Sequence, residues 1–200
     1  MTRTALRLNL LVLFLLSGFF LQSPPIQAIG AESALTDFVS FSESVQNGEA
    51  EVLRGVYVPN VLALPVVQQP ADKSYYVSSH EGEVTQFAMV SRYGNTGLLA
   101  HNTLSGRFFS QLSAGQEARL VYGTGKVEYF VVTEVLRFQA LQPESVTSSF
   151  RNLDQDEVLS AGEMFNRAYV GERRLVFQTC IEAYGNASWG RMFVLAVPKQ

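Results

Sequence analysis

The chain has 200 residues, 47% of them hydrophobic, with 15 Lys+Arg against 18 Asp+Glu for a formal net charge of −3. That balance provides no basic stripe for a nucleic acid or for an acidic membrane surface. A single cysteine, Cys180, excludes an internal disulfide framework, so stability must come from burial.

The chain opens with Arg3 and Arg7 and no acid, followed by an almost wholly apolar run over residues 8–21 and then Pro24-Pro25. Ala28-Ile29-Gly30, or Ile26-Gln27-Ala28, gives small residues at signal-peptidase spacing, so residues 1–30 read as a secretory signal. The run is shorter than the roughly 20 residues of a spanning helix, and an uncleaved N-terminal anchor is the competing reading. No cysteine near the leader supports a lipid anchor. Removing the leader with its two arginines takes the charge from −3 to −5 and leaves about 170 residues, one domain with a proper core.

Residues 31–50, rich in Ser, Glu, Gln and Asn, read as a linker with a turn or two of helix around residues 35–41. From residue 51 to 200 the texture is all-β, short Val/Leu/Tyr/Phe runs punctuated by Gly, Pro, Asn and Asp. The expected strands are 52–58, 61–64, 74–78, 84–91, 97–100, 118–122, 127–141, 174–179 and 191–197. Tyr122-Gly123-Thr124-Gly125-Lys126 is a hairpin turn. Along the long strand, alternation puts Val127, Tyr129, Val131 and Val135 on one face and Phe130, Val132, Leu136 and Phe138 on the other. Two faces partly covered suit a closed barrel, which leaves few free edges. Short helices are expected over residues 105–112 and after the capping-box spacing Ser160-Ala161-Gly162-Glu163.

Cys180 is either an inert core residue or a nucleophile. An unperturbed thiol, with a pKa of about 8.5, is only slightly ionised near neutrality and needs an imidazole or a cation beside it. His80 lies in a polar turn and reads as a solvated residue, whereas His101 ends the apolar run Gly97-Leu98-Leu99-Ala100 at a sheet rim. If 174–179 and 192–197 pair antiparallel, residues 181–190 form the loop between them, and Cys180 faces Arg191 across the hairpin mouth. An arginine opening the strand Met192-Phe193-Val194-Leu195-Ala196-Val197 either has a task or snorkels to the edge.

Leu98-Leu99-Ala100-His101, then Leu175-Val176-Phe177-Gln178-Thr179-Cys180, then Trp189-Gly190-Arg191-Met192-Phe193-Val194 resemble the sortase family of cysteine transpeptidases. The segments 58–66 and 126–132 resemble that family's first strands and its Tyr-x-Val strand; the likeness runs from about residue 52 to the C-terminus. Ala100 stands where the family usually has glycine. The resemblance implies a closed β-barrel of about eight strands with two or three short helices. It implies Cys180 as nucleophile, His101 as acid and base, and Arg191 as donor to substrate or oxyanion, with Thr179 aiding the oxyanion or positioning the loop. The implied partners are the C-terminal sorting-signal peptide of a secreted protein, LPxTG-like, and an amine acceptor from the cell wall or another protein. The place would be the outer face of the membrane, anchored through the N-terminus, or outside the cell. Two rival readings stand beside it, an exported barrel that binds without catalysis and a cysteine peptidase that hydrolyses.

Asn152, Asp154, Asp156 and Glu163 fall at EF-hand offsets, but Glu157 occupies the sixth position, where glycine is required. The run reads as an acidic loop feeding a helix cap, and no cofactor is expected. Calcium, used near this loop by some sortases, is the one ion the resemblance allows, as a weak site over 152–163. Asn186-Ala187-Ser188 is a chance glycosylation sequon.

Overall fold

The computed structural model describes residues 37–200; the expected leader and its cleavage site lie outside the described residues. Ten strands form one sheet: β1 (Leu53–Val58), β2 (Leu62–Gln68), β3 (Val84–Gln86), β4 (Thr96–Leu99), β5 (Glu117–Tyr122), β6 (Val127–Ala140), β7 (Phe150–Asn152), β8 (Val158–Leu159), β9 (Leu175–Ala183) and β10 (Asn186–Pro198). Eight of them, in the order β10-β9-β4-β3-β2-β1-β5-β6, close into a ring through the β10–β6 pairing. The β2–β3 and β4–β9 pairs are parallel and the others antiparallel, so the barrel is mixed. β7 and β8 extend from the far end of β6. The expected closed barrel of eight strands is the fold.

The described helices are α1 (Phe38–Val45), α2 (Ala161–Tyr169) and two 3₁₀ segments, Ala88–Tyr93 and Ser105–Gln111. Among the described residues, no helix is long and apolar enough to cross a membrane. α1 begins three residues into the expected onset and belongs to the barrel rather than to a linker. Asp37 Oδ1 accepts from the Val39 and Ser40 amides at 3.0 and 3.1 Å, a side-chain cap. Phe41 then packs with Tyr57 and Val121 on the outside of β1 and β5. Gly55 permits that approach, because a Cβ there would stand 2.9 Å from Phe41 Cζ.

Leu98, Phe177, Val194 and Phe130 belong to the main core inside the barrel. A second core lies on the outer face, where α2 covers Val176, Phe193, Leu136 and Phe138. The capping box expected at Ser160 starts α2: Glu163 N donates to Ser160 Oγ at 3.3 Å and Ser160 N to Glu163 Oε2 at 2.8 Å.

β6 departs from simple alternation. Its register with β10 passes from Glu134↔Leu195 to Val132↔Ala196, leaving Thr133 as an extra residue. Such a bulge exchanges inner and outer faces. Phe130 and Val132 therefore point into the barrel core, whereas Leu136 and Phe138 serve the outer one.

Two expected strands and one expected loop change. Residues 74–78 form no strand: Ser74 and Tyr75 lie in a turn, and the buried Gln69 amide donates to the Ser74 and Tyr76 carbonyls at 2.9 and 3.0 Å, taking acceptors a ladder would use. The 84–91 run stops as a strand at Gln86 and tightens into the first 3₁₀ segment. The loop expected over 181–190 is instead a continuation of both strands, β9 to Ala183 and β10 from Asn186, joined at Tyr184-Gly185. Both turn residues have positive φ, 53° and 75°, the conformation of a tight hairpin turn. β7 and β8, of three and two residues, carry too little periodicity to be read.

Candidate active site

Cys180 lies on β9, which runs between β10 and β4. On one side, the β9–β10 register pairs Cys180 directly with Arg191. Directly opposed residues share a face, with Cα atoms about 5 Å apart. On the other side, the parallel β4–β9 register runs Leu98↔Phe177 and Leu99↔Gln178. The ladder carries one step further, with Ala100 N donating to Gln178 O at 3.2 Å. His101 follows, just beyond the end of β4.

The face is fixed by burial. Phe177 and Thr179 are buried on the barrel side, as are Met192 and Val194. Val176 and Phe193 lie on the outer side beneath α2, so Cys180 and Arg191 project outward. Cys180 and Arg191 are half-buried and His101 is exposed.

Local contacts hold the histidine segment against the cysteine strand. The Thr179 hydroxyl donates to Ala100 O at 2.9 Å. The His101 carbonyl accepts from the Leu104 and Gly106 amides at 3.0 and 2.9 Å. Gly106 is required by close packing, since a Cβ would overlap Thr179 Oγ1 and the carbonyl oxygens of His101 and Ala100. Asn102 Nδ2 reaches Ala187 O at 3.1 Å, tying the next residue to the β9–β10 hairpin. Nothing in the sequence pattern singles out Asn102 or Gly106, because each works through the backbone of a distant segment. Thr179 faces the barrel, opposite to Cys180, with its hydroxyl committed to Ala100.

Arg191 Nη1 donates to Ser188 O and Gly190 O at 3.0 and 2.9 Å. Among the described residues no carboxylate lies within ion-pair distance of it. Carbonyls thus orient the guanidinium while its remaining donors stay open, an arrangement suited to receiving an oxygen ligand.

Upstream of Cys180 the outer face is roofed by aromatics. Tyr169 of α2 donates its hydroxyl to Gln178, and its ring meets Phe87, Phe165 and Phe193 at centroid distances of 5.7, 5.2 and 5.8 Å. Complete burial pushes the Tyr169 phenol far above its ordinary pKa, so it remains a donor. A cavity of about 770 Å³ reaches Cys180 and is lined also by the barrel-side Thr179 and Met192 and by Asn102, Arg107, Arg137 and Glu182, whereas His101 and Arg191 do not line it.

The other sequence candidates lie apart. His80 is exposed with Nδ1 3.6 Å from Glu83. In the 152–163 loop, Asp154 pairs with Arg137, Glu157 with Arg167, and Glu163 is held in the capping box. Among the described residues no three His, Cys, Asp or Glu side chains converge as a metal cluster.

No family model and no curated protein matches the chain. Solved sortase structures do. Sortase A of Listeria monocytogenes aligns at 13% identity with a TM-score of 0.47, over 74% of this chain and 88% of that one. Sortase E1 of Streptomyces coelicolor, solved with a tripeptide in its active site, aligns at 16% and 0.47, over 76% and 91%. A Clostridium perfringens sortase D5 transpeptidase aligns at 14% and 0.45, over 82% and 91%. The chain is similar to sortases of several classes and is not resolved to one of them.

Proposed function

We propose that the chain is a sortase-like cysteine transpeptidase acting at the outer face of the cell membrane or outside the cell. The observation that carries this reading is the direct pairing of Cys180 with Arg191 on β9 and β10, with the segment that leads into His101 bonded to β9 through Ala100.

In the first half-reaction the Cys180 proton passes to His101, and the thiolate adds to the scissile carbonyl of a sorting-signal peptide. The carbonyl π pair moves to oxygen, where the open donors of Arg191 meet the developing charge. Collapse breaks the C–N bond, and the departing amine takes its proton from His101, leaving a thioester on Cys180. In the second, an acceptor amine adds to the thioester carbon, His101 takes its proton, and the C–S bond breaks to regenerate the thiolate. Water in place of the amine gives hydrolysis. Thr179 acts here by positioning the His101 segment through Ala100. Calcium at residues 152–163 would require the Asp154–Arg137 and Glu157–Arg167 pairs to open.

The test is an LPxTG-type peptide incubated with the protein, with and without an added amine. Amide product that grows with amine concentration supports transfer. Cleavage indifferent to the amine would make the protein a hydrolysing peptidase, and no cleavage would leave a binding module.

A further inference from the structure

The charges lining the cavity beside Cys180 are unequal in their pairing. Arg137 is paired with Asp154 at 2.5 Å, and Arg107 with Glu81. Glu182 lines the same cavity and, among the described residues, has no ion pair and no side-chain hydrogen bond. It is exposed, and it sits two residues beyond Cys180 on β9. Residues two apart on a strand share a face and lie about 7 Å apart. A carboxylate with no ion pair among the described residues therefore stands on the nucleophile's strand at the edge of this cavity, while the Arg191 guanidinium, likewise without a carboxylate, lies across the ladder from Cys180.

We propose that Glu182 recognises the acceptor, binding the ammonium form of an aliphatic primary amine and thereby favouring transfer over hydrolysis. The inference rests on the transpeptidase reading above. An α-amino group, with a pKa of about 8, is mostly protonated near neutrality. A carboxylate beside the thioester concentrates that cation where neutral water gains nothing. The bound ammonium ion releases one proton to solvent. The neutral amine then forms its C–N bond to the thioester carbon, His101 takes the second proton, and the C–S bond breaks with its electron pair returning to Cys180.

The test compares two nucleophiles on a preformed thioester: triglycine with its C-terminus amidated, whose one charge at neutral pH is its ammonium group, and hydroxylamine, which is mostly uncharged there. In E182Q the ratio of transfer to hydrolysis with triglycine should fall about fivefold, the size of one exposed ion pair, while the ratio with hydroxylamine stays within twofold. Raising the salt concentration should lower the wild-type triglycine ratio toward that of E182Q. Equal losses with both nucleophiles, or no loss with triglycine, would overturn the assignment. Intact mass measured before the amine is added separates this from a deeper failure. If Cys180 carries no acyl group at that stage, the transpeptidase reading itself falls, and the acceptor assignment with it.

Discussion

Arg191 stands directly opposite Cys180 in the β9–β10 ladder, with its guanidinium held by two backbone carbonyls and by no carboxylate among the described residues. A cation so placed keeps its full charge for whatever forms at the thiol. Replacing it with alanine should slow thioacyl formation by about 10²–10³-fold, the range for removing one oxyanion donor. Folding should lose only about 1 kcal/mol, since two partly exposed hydrogen bonds go with the side chain. Lysine should recover little, because it supplies a point charge without the planar fork. Single-turnover cleavage and urea unfolding measure the two effects separately.

Cys180 is half-buried rather than sealed in either core, so it should be labelled by iodoacetamide in the folded protein. His101→Ala should slow that labelling at neutral pH by about tenfold, and peptide turnover by about 10² or more. A thiol that reacts only after unfolding would identify Cys180 as packing.

The Thr179–Ala100 hydrogen bond should matter to both stability and activity. Thr179→Val leaves a buried carbonyl short of a donor and should cost about 1–2 kcal/mol. Gly106→Ala should cost about 1–3 kcal/mol through overlap with Thr179 and the His101 carbonyl. Both variants should also weaken the dependence of Cys180 labelling on His101, which a purely structural loss would not do. Thermal melting and alkylation kinetics provide the readouts.

Tyr122 predicts an alkaline limit. Burial, reinforced by the neighbouring Glu128 carboxylate, pushes its phenol from 10.0 to about 12. The folded state thus resists ionisation that the unfolded chain undergoes freely. The associated stability is fully present below pH 10 and is lost as pH rises from there through about 12. The loss should amount to about 2 kcal/mol after allowance for partial exposure. Tyr122→Phe should flatten this part of the stability–pH curve; an unchanged slope would assign it to another group.

The barrel was legible because its long strands are patterned and punctuated, as at Tyr122-Gly123-Thr124-Gly125-Lys126. The pairing of Cys180 with Arg191 was legible too, since an antiparallel register follows from where two apolar runs stop. The hairpin beyond them was hidden: residues 181–190 mix Gly, Asn, Ser and Glu with apolar residues and show no sustained strand run, and Tyr184-Gly185 at positive φ turns the chain. The face exchange at Thr133 was equally invisible, because a bulge inserts one residue without altering composition. Gly106 and Asn102 escaped for a different reason, as their partners lie far along the chain. Nothing in the sequence singles out Glu182, because the residues that share its cavity come from distant segments.

The most direct test is the intact mass of the protein after brief incubation with an LPxTG-type peptide. The account predicts an acyl adduct located on Cys180, absent in Cys180→Ala and discharged when an amine is added. Peptide cleavage that persists in Cys180→Ala, or a wild-type protein that never carries the acyl group, would contradict it.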